Sequence, residues 1–157
     1  MHYLRTVRSM EDGWCQLFSD DPVRPHIAIE QRIGPFAEAF FLVDEQDEPM
    51  AATCVRYCEE IPSSEDEMLS MQGADRVAIF YTIWSYRMGA GTKLLRTTVN
   101  HIVANRPLVS RFVTLSPKTS MARAFHTRNG AAIFRENDST INYEYSLSSL
   151  AGRNLAC

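Results

Sequence analysis

Residues 76–105 read RVAIFYTIWS (76–85), YRMGAG (86–91) and TKLLRTTVNHIVAN (92–105). The first segment is filled with Val, Ile, Phe, Tyr and Trp, so a buried β-strand is expected there. The third places Leu95, Val99, Ile102 and Val103 at helical spacing on one face, with Pro107 just beyond as a stop. Gly89 and Gly91 lie between them. A strand, a glycine turn and a helix together make a phosphate cradle. The glycines let backbone approach an anion, and the first helical turn offers free N–H groups and the positive end of the dipole. The loop is not a Walker A sequence, since Gly-Lys-Ser/Thr is missing. It is not a dinucleotide fingerprint either, since the third glycine is missing. Taken alone, it also reads as a plain strand-to-helix turn.

Upstream of this unit, residues 2–8 read as a strand, followed by a helix from a Ser9 N-cap to about Phe18. Asp21-Pro22 and Pro25 break it, and a short helix is expected over 26–32, before a Gly34-Pro35 turn. Ala37–Asp44 and Pro49–Cys58 read as strands joined by the polar connection 45–48. The acidic stretch 59–67 reads as a loop entering a short helix that ends at Met71. Downstream, strand 111–115 ends in Ser116-Pro117. Thr119 or Ser120 caps a helix through Phe125 and His126, and Asn129-Gly130 ends it with Gly130 left-handed. Strands 131–135 and 140–147 close the chain. The expectation is one mixed α/β domain over 1–147 with a frayed tail over 148–157.

A chain of 157 residues, 45% hydrophobic and 22% charged, suits one domain with an apolar core. Its net charge of -3 argues against a nucleic-acid partner. Apolar runs such as Phe40–Val43 are too short to cross a bilayer, and Met1–Met10, carrying Arg5 and Arg8, is no signal peptide. A cytoplasmic protein without a membrane partner is expected. Cys15, Cys54, Cys58 and Cys157 match neither a zinc knuckle nor a redox Cys-x-x-Cys, so they read as small buried hydrophobes, with Cys157 free, and no metal is expected. Cys54 and Cys58 share one face of their strand.

The loop at 86–91 resembles the pyrophosphate loop of the GNAT (N-acetyltransferase) superfamily, Gln/Arg-x-x-Gly-x-Gly/Ala. Gly89 and Gly91 are in place, Tyr86 stands at the first position, and Arg87 comes one place late. The order of elements resembles that fold as well. The resemblance implies a single twisted mixed sheet flanked by helices, with acetyl-CoA or another acyl-CoA as substrate. The coenzyme would lie where strands 76–85 and 111–115 splay apart. Backbone around Ile79, Tyr81 and Ile83 would hold the pantetheine and polarise the thioester carbonyl. Arg87, Met88, Gly89, Ala90, Gly91 and Thr92 would bind the pyrophosphate.

Four further segments, AIFYT (78–82), FVTLSP (112–117), AFHTRNGA (124–131) and INYEY (141–145), together resemble the catalytic domain of malonyl-CoA decarboxylase, a divergent member of that superfamily. The resemblance implies that Ser116 and His126 are catalytic. The match lacks the long insertion those enzymes carry between serine and histidine, and their N-terminal helical domain. In ordinary GNAT acetyltransferases a tyrosine four residues before the helix-capping glycine protonates the leaving thiolate. His126 stands four residues before Gly130, and imidazole, with an unperturbed pKa of about 6.5, is competent for that task. On residue type alone, Ser116-Pro117 is a strand-ending turn and His126 a packing helix histidine. Tyr81, Tyr143 and Tyr145 read as cross-strand packing, and Phe80 and Trp84 as core.

Two chemistries follow. Acyl transfer to an amine needs a base, and strand 76–85 offers no acid beyond Asp75 at its start. Glu59 or Glu60 is the candidate, and the acidic run 59–67 would attract a cationic amine. Decarboxylation needs no acceptor: Ser116 and His126 would orient the carboxylate, and backbone amides would hold the enolate. Lys118, Arg123 and Arg128 could serve that anion or the 3′-phosphate of the coenzyme. Acyl transfer to an unidentified amine is the first expectation, from the frequency of free-standing domains of this fold. The decarboxylase is the alternative, and it is better matched residue by residue. A non-catalytic acyl-CoA-binding module is a third reading, and a homodimer is left open.

Overall fold

The protein's structure, a computed structural model, describes residues 1–148 and Leu150. Strands β1 (His2–Val7), β2 (Ala37–Asp44), β3 (Pro49–Cys58), β4 (Val77–Ser85), β5 (Arg111–Thr114), β6 (Ser116–Pro117), β7 (Ala132–Glu136) and β8 (Thr140–Tyr145) form one sheet. Helices α1 (Ile29–Arg32), α2 (Glu65–Ser70), α3 (Ala90–Asn105) and α4 (Ser120–Arg128) flank it, with a 3-10 helix over Gly13–Asp20. The sheet runs β1-β2-β3-β4-β5-β8, all antiparallel except β4–β5. β5 and β6 lie end to end along β8, and β7 pairs with it as well. The expected single mixed sheet flanked by helices is the fold observed. The tail placed at 148–157, Cys157 included, lies outside the described residues apart from Ser148 and Leu150.

Strand alternation splits the core in two. One face of the sheet buries Phe41, Cys54, Ile79 and Trp84 against the 3-10 helix, α1 and α2, through Phe18, Ile29 and Met68. The other buries Phe40, Val55, Phe80 and Phe112 against Leu95, Val99 and Ile102 of α3. Cys54 and Cys58 do share a face, and burial pushes both thiols up to about 11.

Three local expectations change. The helix expected from Ser9 is a 3-10 helix capped by Asp12, whose Oδ1 accepts from Trp14 N–H at 2.9 Å. Ser9 instead turns the chain by accepting from Glu11 N–H, the side-chain competition that keeps serine out of helix interiors. The helix expected over 26–32 is one turn, Ile29–Arg32. Val103, placed on the buried face of α3, is 41% exposed, and Leu94 and Thr98 take that side.

Candidate active site

The ladder between β4 and β5 ends at Phe80–Thr114, and one more bond, Leu115 N–H to the Phe80 carbonyl at 3.1 Å, closes it. Beyond that point the strands part. A cavity of about 420 Å³ opens there, walled by Tyr81–Ser85 of β4, by Pro22 and Val23 opposite, and by Ser116, Phe125 and His126. Its wall is chiefly apolar, and no carboxylate and no cationic side chain is among the described residues that line it. Parting strands in a parallel pair leave backbone groups without ladder partners, so a ligand able to extend the sheet fits here.

Ser116 and His126 meet in this wall. Thr119 caps α4 by accepting from Ala122 N–H at 3.1 Å, and the short turn from β6 swings the helix back over the strand. His126 Nε2 then lies 3.2 Å from Ser116 Oγ, and Nδ1 lies 2.7 Å from the Tyr145 hydroxyl. Ser116 Oγ donates to Thr114 Oγ1 at 2.7 Å, which also accepts Tyr143 N–H at 3.1 Å. The neutral imidazole closes this chain by donating from Nε2 to Ser116 and accepting the Tyr145 hydroxyl at Nδ1. The ring stacks on Tyr143 at 4.9 Å. Burial among these aromatics lowers the His126 pKa to about 4, so the ring is uncharged at neutral pH.

The other expected site residues divide. Tyr81 and Ile83 line the cavity. Ile79 does not: it sits within the ladders to Arg56 and Val113, and its side chain is in the core. Gly89 takes φ +79° at the head of α3, a left-handed turn that side chains resist, and no side chain caps the helix there. Ala90, Gly91 and Thr92 form the first turn. A Cβ on Gly91 would lie 3.1 Å from the Phe125 ring, so α3 and α4 come together there beside the cavity. Arg87 is ion-paired with Asp44, and the Met88 side chain is fully exposed. Tyr86 donates to Asp20 at 2.8 Å, tethering the loop start. Glu59 and Glu60 lie at the opposite end of β4, beside Arg76 and Val77, away from the cavity. Lys118 and Arg123 border a separate shallow depression with Glu136.

Tyr145 packs in the core as expected and also bonds to His126, and Thr114 joins the same network. The available signal was parity: Tyr143 and Tyr145 share a strand face, and so do Thr114 and Ser116 by number. Pro22 and Val23 carry no such signal.

No family model and no curated protein matches the sequence. Solved structures do. The malonyl-CoA decarboxylase from Agrobacterium vitis superposes with a TM-score of 0.79 at 18% identity, covering 99% of this chain and 63% of that one. A GNAT-family protein from Desulfovibrio desulfuricans superposes at 0.60 and 11% identity, covering 93% and 99%. The chain has the GNAT fold. Campylobacter jejuni N-acetyltransferase PseH, in complex with acetyl coenzyme A, shares the GNAT fold at 0.64 and 10% identity, covering 94% and 100%. Within this fold the likeness extends over nearly all of the chain to the decarboxylase, while the chain spans 63% of that enzyme's length. No described helix is long and apolar enough to cross a membrane, and no described cluster of side chains could hold a metal ion.

Proposed function

We propose that the protein binds an acyl-CoA and decarboxylates a malonyl-type thioester in the cavity beside β4. The observation that carries this reading is the Ser116–His126 pair, 3.2 Å apart, in an apolar wall without a carboxylate among its described residues. Gly89–Thr92 receive the pyrophosphate, and the unpaired edge of β4 beyond Phe80 takes the pantetheine. Ser116 turns its hydroxyl from Thr114 to the substrate carboxylate, with His126 Nε2–H behind it. The bond from Cα to the carboxylate breaks, CO₂ leaves, and the electron pair becomes an enolate held by backbone N–H groups. Ser116, backed by His126, passes one proton to Cα, and one proton is taken up from water per turnover. The dry wall favours loss of charge from the carboxylate as CO₂ departs.

Acyl transfer to an amine is the second reading, favoured by the likeness to PseH with its acetyl coenzyme A. It requires a base supplied by the acceptor or by water, since Glu59 and Glu60 stand away from the cavity.

Mass spectrometry of the protein incubated with malonyl-CoA tests the choice. Acetyl-CoA and CO₂ are expected, and they should disappear with His126→Ala. Intact malonyl-CoA together with acetylation of an amine panel would replace decarboxylation by transfer.

A further inference from the structure

Pro22 and Val23, which wall the cavity, belong to a turn bound tightly to the sheet. β4 has one residue more than β3 here: Cys54 pairs with Thr82 and Val55 with Phe80, so Tyr81 forms a bulge. Asp21 Oδ1 accepts the Thr82 hydroxyl at 2.6 Å and the N–H groups of Val23 and Arg24 at 2.9 Å each. The buried Arg24 donates to the Tyr81 carbonyl. The Pro22–Val23 wall is therefore fixed before any ligand arrives. The helix across from it is held as well, since His126 of α4 is bonded to Ser116 and Tyr145. Ala122 lies one turn before His126, on the same side of α4, and lines the cavity with a single methyl group.

The polar parts of a malonyl thioester have counterparts in this wall. The carboxylate meets Ser116, backed by His126, and the thioester and its arm follow β4. The carbon between carboxylate and thioester has no polar counterpart, and the side chains left for it are Pro22, Val23 and Ala122. A fixed wall does not close over a bare methylene, so malonyl leaves apolar space beside that carbon empty, and an alkyl branch fills it. We propose that the substrate is a 2-alkylmalonyl thioester, with a methyl or ethyl branch on the carbon next to the carboxylate, and that Ala122 and Val23 set the size of the branch. This rests on the reading that a malonyl-type thioester is decarboxylated in the cavity. The bond from the branched carbon to the carboxylate breaks, CO₂ leaves, and the enolate takes its proton on that same carbon. Methylmalonyl-CoA thus gives propionyl-CoA, and ethylmalonyl-CoA gives butyryl-CoA. Burying one extra methyl group here is worth about fourfold in kcat/KM.

The test is competition on the full chain, with malonyl-CoA set against each enantiomer of methylmalonyl-CoA and of ethylmalonyl-CoA, and products read by mass spectrometry. The product ratio reports the ratio of kcat/KM values. One enantiomer of methylmalonyl-CoA should outpace malonyl-CoA about fourfold. Ala122→Leu fills the space beside His126 and should shift that ratio about tenfold towards malonyl-CoA. Val23→Ala widens the cavity from the other wall and should shift the ratio several-fold towards ethylmalonyl-CoA, a readout that stands even if Ala122→Leu does not fold. Malonyl-CoA consumed faster than either methylmalonyl-CoA enantiomer, or a ratio that neither variant moves, would overturn the inference and leave decarboxylation standing. No CO₂ from any of these thioesters would remove the proposed function and the inference with it.

Discussion

The Tyr145 hydroxyl stands 2.7 Å from His126 Nδ1, on the side of the ring away from Ser116. The Ser116 hydroxyl donates to Thr114, which leaves Nε2 to donate to Ser116 and Nδ1 to accept from Tyr145. With Nδ1 accepting, the proton sits on Nε2 and faces Ser116. Tyr145→Phe keeps the ring beside the imidazole and removes the hydroxyl, freeing the tautomer. Decarboxylation of malonyl-CoA should then fall about tenfold in kcat with KM within about twofold. Steady-state kinetics reads this directly. An unchanged kcat would remove Tyr145 from the proton path.

Much of this site was legible beforehand because strand-end and helix-cap chemistry is local. Ser116-Pro117 forms the two-residue β6, Thr119 caps α4, and Gly130 at φ +94° closes it, so the positions of Ser116 and His126 follow from neighbours in sequence. The glycine turn before α3 is local in the same way. What was not legible depends on distant partners. Arg24 reaches Tyr81 across 57 residues and Asp21 reaches Thr82 across 61, through a bulge that no alternation pattern announces. Ile79 falls outside the cavity for the same reason, since the point where β4 and β5 part is set by where β5 ends.

Burial of His126 makes acid stability a readout of the site. Its pKa is lowered to about 4 in the folded protein, against about 6.5 for an unfolded histidine. Between those values the unfolded chain binds a proton that the folded chain does not, so stability falls as pH drops from 6.5 towards 4 and is complete above 6.5. The loss amounts to about 3 kcal/mol at full extent. Urea melts at pH 7 and pH 4.5 should show a drop in the wild type that is reduced in His126→Gln. The acid limb of activity should lie near pH 4. A limb near 6.5 would mean that the ring is wetter than the fold implies.

Gly89 offers a separation of binding from chemistry. Its φ of +79° costs an alanine about 1 kcal/mol, so Gly89→Ala pulls the loop away from the geometry that presents the α3 amides. The site around Ser116 and His126 is untouched. KM for malonyl-CoA should rise several-fold with kcat nearly unchanged, the pattern of lost uniform binding. Equal losses in both would place the loop in the chemical step instead.

The buried pair Asp21–Arg32 links stability to the cavity wall. Both side chains are fully buried, 2.9 Å apart, and Arg32 also donates to the carbonyls of Arg24 and Ile27. Asp21→Asn keeps the shape but strips the counter-charge from a guanidinium that has no water to turn to. Such a loss costs about 3–5 kcal/mol, far more than an exposed pair would. Asp21 also anchors Val23 and Thr82, so the surviving folded protein should bind malonyl-CoA more weakly. Arg32→Met together with Asp21→Asn removes the stranded cation, and denaturant melts should show the double variant no less stable than Asp21→Asn alone. Additive losses would instead mean that the two residues act through their separate backbone contacts, with the ion pair itself contributing little.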